Sequence, residues 1–183
     1  MTQRRPLCKG KGLLTRYTVE LVALAVWVGG LVVIVGAVIP AVFNSFGMEP
    51  GGRFLTRVFD GYNRLTAGAI VILVATAGWR IWNARRSSAD SPADMMVTRP
   101  EVVLLSTMAL VAGLIILWLG PWSVTLQEQA FATQGEEAKK AAYGVFFRTH
   151  TLVRSLYLLN CGLGIALMAV KIRDWIHSVK ADR

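Results

Sequence analysis

The 183 residues are 54% hydrophobic with a mean hydropathy of +0.49, more apolar than an ordinary soluble chain, and the length suits one membrane bundle better than two soluble domains. A formal net charge of +9, from 20 Lys and Arg against 11 Asp and Glu, would suit a nucleic-acid partner, but the charges lie between four apolar blocks and form no basic face. Cys8 and Cys161 fall in a terminal segment and inside an apolar block, which excludes a disulfide or a two-cysteine metal site.

The basic segment 1–17 precedes a first span predicted over 18–46. Its apolar run, Leu21 to Ile39, is longer than the roughly 7–15 residues of a signal-peptide core, so it is expected to remain as a span. Glu20 stands at its start, where a carboxylate suits a helix N-terminus. Met48-Glu49-Pro50-Gly51-Gly52 predicts the following turn. The second span, 58–84, begins amphipathically and runs apolar from Leu65 to Trp82. Residues 87–98, rich in Ser, Asp and Pro, are expected to be a disordered connection.

The third span is predicted over 101–123, reaching Gly120-Pro121-Trp122, and the polar stretch 124–142 reads as a short external helix or a helical extension. The fourth span, 146–173, closes a transmembrane domain of 18–177, followed by a tail, 178–183. Each block approaches the roughly 20 residues that a helix needs to cross a bilayer. The fold class is therefore all-α, a polytopic membrane four-helix bundle.

With four crossings, 13 of the 20 basic residues share the side of the termini and 7 lie opposite. By the positive-inside rule both termini are cytoplasmic, in a bacterial inner membrane whose anionic headgroups are the natural partner of the excess charge. Small residues recur at sevens, at Gly29 and Gly36, at Gly61, Gly68 and Ala75, and at Gly113 and Gly120, and predict helix-packing faces. Gly30-Leu31-Val32-Val33-Ile34 echoes Gly113-Leu114-Ile115-Ile116-Leu117, and Asp60 to Leu65 echoes His150 to Leu156, which suggests two parallel hairpins.

The polar residues that enter the apolar blocks are the candidate site. His150, Arg154, Tyr157 and Cys161 share one stripe of the last helix, with Asn160 beside it. Asp60 and Arg64 sit four apart on the second helix at a similar level. Asp60, Arg64, His150, Arg154 and Asn160 thus form a candidate polar site on the outer side, joined by Glu128 if the connection folds over it. There a histidine exchanges a proton or arginines hold an anion; the alternative is a solvated rim of snorkelling side chains.

No catalytic constellation, metal set or cofactor is expected. Two histidines exist, His150 and His177, and 27 helical residues hold them roughly 40 Å apart, which excludes haem ligated by both. No CxxC, HExxH, phosphate-binding glycine loop or GxSxG is present.

The chain resembles the four-span family built around transmembrane protein 205. The likeness rests on Trp27-Val28-Gly29-Gly30, Pro40-Ala41-Val42-Phe43, Gly52-Arg53-Phe54, Val58-Phe59-Asp60-Gly61-Tyr62, Trp118-Leu119-Gly120-Pro121 and Phe147-Arg148-Thr149-His150. It departs at Val153 and Tyr157, where the family pattern has Ser and Asn. The resemblance implies roles for Trp27, Gly30, Phe147 and His150 and supplies no reaction. Function is expected to be that of a non-enzymatic membrane component or accessory subunit, with lipid and partner subunits or further copies as its contacts. The alternative is a small carrier whose pocket around His150 takes an anion or lipid.

Overall fold

Apolar segments of this length satisfy their backbone polar groups without water only as helices, and the computed structural model shows that outcome. It describes residues 7–86 and 97–181, with side chains from 14 to 86 and from 97 to 177. The expectations for the side chains of the first basic segment, for most of the 87–98 connection and for the tail lie outside the described residues.

Helix α1 (Leu7–Val33) passes through a π-helical turn (Ile34–Val38) into α2 (Ile39–Phe46), and after Gly47 comes α3 (Met48–Arg86). Helix α4 (Arg99–Leu114) passes through a second π turn (Ile115–Leu119) into α5 (Gly120–Ala132), and α6 covers Glu136–Ala181. Four helical rods, Leu14–Phe46, Met48–Arg86, Arg99–Ala132 and Glu136–His177, are long and apolar enough to cross a membrane. They are called here the first to fourth spans.

The predicted turn at 48–52 is helical instead. The reversal is made by Gly47 alone, at φ 75°, whose N–H bonds Phe43 O. Pro50 is tolerated because it falls in the first helical turn, where N–H groups have no partner within the helix. Gly51 and Gly52 are there for proximity: a Cβ on Gly51 would meet Phe43 Cδ1 at 3.2 Å, and one on Gly52 would meet the Phe131 ring at 3.3 Å. The 124–142 stretch is a helical extension on both sides of a second reversal at Gly135, φ 90°.

Both π turns precede a proline. Ile39 N–H bonds Ile34 O just before Pro40, and Gly120 N–H bonds Ile115 O just before Pro121. Proline lacks an N–H and its ring crowds the carbonyl four residues back, so the helix widens by one residue rather than breaking. A Cβ at Gly120 would stand 2.8 Å from Ile115 O, so this turn needs its glycine.

Contacts between the spans run in opposite register. Val42 meets Gly51 and Gly30 meets Tyr62; Met108 lies by Gly164 and Glu101 by Lys171. Val28 touches Gly164, Glu20 touches Lys171, and Arg80 touches Glu101. Each span is thus antiparallel to both neighbours around a four-sided bundle. The core takes a fully buried side chain from every span, Leu24, Leu73, Met108 and Leu167, none more than 1% exposed and all in one apolar cluster. The outside is as apolar as the inside, with Leu117 82% and Leu110 70% exposed, which is stable only where lipid replaces water. The chain is a multi-pass membrane protein.

The small-residue faces are largely not where the spans meet. A Cβ on Gly29, Gly36, Gly61, Gly68 or Gly113 would find nothing within 4 Å. Close approach is made instead by Gly30, against the Tyr62 ring at 3.2 Å, and by Gly164, against Val28 Cγ2 at 2.5 Å and Met108 Cε at 3.2 Å. Sevenfold spacing identifies a helix face but not the side of the bundle on which it lies.

Candidate functional site

Four charged side chains, one from each span, meet inside the bundle near the end that carries the first and last helix termini. Glu20, Arg80, Glu101 and Lys171 are each at most 3% exposed. Lys171 Nζ lies 2.6 Å from Glu20 Oε2 and 2.6 Å from Glu101 Oε1, and Arg80 Nη1 lies 2.6 Å from Glu101 Oε1. Two carboxylates and two cations make a neutral quartet. Neutrality is what makes it tenable, because an unpaired charge in this setting is far more expensive than a paired and hydrogen-bonded one, whose partner offsets much of the desolvation. Glu20 Oε1 has no hydrogen-bond partner among the described residues. Glu20 is therefore a buried ligand of Lys171, not the exposed N-terminal carboxylate that its position in the sequence implies.

The pairing is reciprocal. The acid of the first span binds the base of the fourth, and the acid of the third binds the base of the second, so two of the three pairs cross between the two halves of the chain, while the third, Lys171 to Glu101, joins the third and fourth spans. Glu20 and Glu101 each stand twenty residues before the proline of their π turn, Pro40 and Pro121. That equal spacing was the signal available in the sequence. It shows only when the echo is read from acid to proline rather than from the apolar runs between them. Arg80 and Lys171 resembled ordinary flanking charges and carried no such mark.

About 16 Å farther along α6, at the 1.5 Å rise of a helix, lies a second polar level. Tyr62 donates its hydroxyl to Trp27 O at 2.8 Å, Tyr157 donates to Asn63 Oδ1 at 2.8 Å, and Asn160 Nδ2 donates to Met108 O at 3.4 Å. Along the first and fourth spans the buried Leu24 and Leu167 fall between it and the quartet. Trp27 and Gly30 thereby have concrete parts, the one as an acceptor and the other as the gap that admits the Tyr62 ring.

The other candidate residues are spread over the half of the bundle away from the quartet. Asp60 and Arg64 form an exposed pair at 2.8 Å. His150 is exposed on the side of Phe146, 5.4 Å between ring centroids, and Arg154 is exposed one turn on. No hydrogen bond or ion pair joins Asp60 or Arg64 to His150 or Arg154 among the described residues. Glu128 pairs with Arg53 at 3.1 Å, and Asn160 is buried at the tyrosine level. Phe147 is exposed and stacks on Tyr143, 6.0 Å between centroids. Among the described residues no three His, Cys, Asp or Glu side chains are grouped to hold a metal ion.

Residues 22–132 match the model of a family described as a domain of unknown function, DUF4149. The match covers Arg80 and Glu101 of the quartet and stops short of Glu20, Lys171 and His150. No curated protein and no solved structure matches the chain.

Proposed function

The chain belongs to the DUF4149 family, and we propose that it is a non-enzymatic component of the bacterial cytoplasmic membrane, an accessory subunit that docks beside another membrane protein through its second span. One observation carries this reading. The stripe Gly61, Gly68 and Ala75 lies on the exposed side of α3, and nothing comes within 4 Å of a Cβ built on either glycine. Small residues at this spacing let another helix approach closely, and the bundle's own helices leave the stripe uncovered. The quartet is structural in this reading: it sets the register of the four spans and so presents the stripe on a rigid frame.

The basic residues gathered at the end of both termini support a cytoplasmic location for them, and the motifs quoted above support a relation to the transmembrane protein 205-like proteins. The two crossed ion pairs and the two π turns before proline support a parallel repeat of hairpins. The test is a photo-crosslinker at Ala75 with purification in mild detergent. The expected result is a discrete adduct that disappears with Gly68→Leu while the thermal midpoint of the monomer stays unchanged. A monodisperse monomer without an adduct refutes the docking role.

A further inference from the structure

The tyrosine level encloses a cavity of about 10 Å³ lined by Trp27, Tyr62, Thr66, Ile116, Tyr157 and Asn160, among others. Two of its polar atoms, Thr66 Oγ1 and Asn160 Oδ1, are buried without a hydrogen bond, in residues only 3% and 4% exposed. The neighbour of Thr66 on α3 is Tyr62, whose hydroxyl is committed to Trp27 O, and no hydrogen bond of ordinary geometry links the two hydroxyls. In an apolar surround each unsatisfied group costs on the order of 1–3 kcal/mol.

A third acceptor comes from the π turn. Gly120 N–H is taken by Ile115 O, and Pro121 has no N–H, so the Ile116 carbonyl loses both of its regular donors. Ile116 lines the same cavity.

We propose that this cavity binds one water molecule, which bridges Thr66 of the second span and Asn160 of the fourth. A cavity of about 10 Å³ has room for a water molecule, and a bound water needs two to four polar partners. The water donates one hydrogen bond to Asn160 Oδ1 and accepts one from the Thr66 hydroxyl, leaving its second hydrogen for another lining oxygen. The bridge ties together the second and fourth spans, diagonal in the bundle, at a level where no direct hydrogen bond joins Thr66 to Asn160.

The test has two arms on the full-length protein. A map sharp enough to show ordered water at the bundle ends is expected to show one density within about 2.7–3.2 Å of both atoms. Thr66→Val and Asn160→Leu are each expected to lower the unfolding midpoint, Thr66→Ser to restore it, and the double variant to lose clearly less than the two single losses combined. An empty cavity in such a map, or additive losses, overturns the proposal. Replacing sodium by choline is expected to leave the midpoint unchanged. A sodium-dependent gain that Thr66→Val abolishes would assign the cavity to a cation and overturn it too.

Discussion

Lys171→Met is the sharpest test of the quartet. The substitution keeps an unbranched side chain of similar volume and removes the cation that lies 2.6 Å from Glu20, while Glu101 keeps Arg80. A neutral set of four becomes a set of three with one buried, uncompensated carboxylate whose other oxygen already lacks a partner among the described residues. Removing one partner of a buried pair costs about 3–5 kcal/mol, whereas replacing both by apolar side chains of similar volume is often neutral or stabilising. The expected order of stability therefore places Lys171→Met about 3–5 kcal/mol below the parent, with Glu20→Met/Lys171→Met recovering most of that loss. Equilibrium unfolding in mixed micelles, followed by tryptophan fluorescence, reads the difference. If Lys171→Met lies within about 1 kcal/mol of the parent, as an exposed pair would, or if the double variant is the worse of the two, charge balance does not hold this end of the bundle.

Three further outcomes follow from the packing. Gly164→Ala would set a Cβ 2.5 Å from Val28 Cγ2; an overpacking loss of about 1–3 kcal/mol is expected, relieved by adding Val28→Ala, and read as a melting shift. Gly120→Ala is expected to cost a similar amount because its obstacle is the backbone oxygen of Ile115 at 2.8 Å, whereas Gly113→Ala, facing open space, is expected to be neutral or to gain up to about 1 kcal/mol of helix propensity. Tyr62→Phe removes the hydroxyl that bonds Trp27 O and is expected to cost about 1 kcal/mol, while Arg64→Ala, in an exposed pair, should stay below that; unfolding titrations of both variants rank them.

By itself the sequence determined that the chain is helical and crosses a membrane four times, because apolar runs of this length have no other way to satisfy their backbone. The spacing of Gly29 to Ala75 marked small-residue faces. Which faces turn inward was decided only by the tertiary structure. Spacing along a helix fixes which residues share a side but not the rotation of that helix against its neighbours, so the stripe at Gly61 and Gly68 faces outward while Gly30 and Gly164 carry the close contacts. For the same reason the buried charges are not legible in the sequence as partners of one another. Glu20, Arg80, Glu101 and Lys171 lie far apart along the chain, and a charge near a helix end looks the same in sequence whether it reaches water or a counter-charge. Packing all four ends together removes water from them, and only then does their mutual neutrality become the condition for the bundle to close.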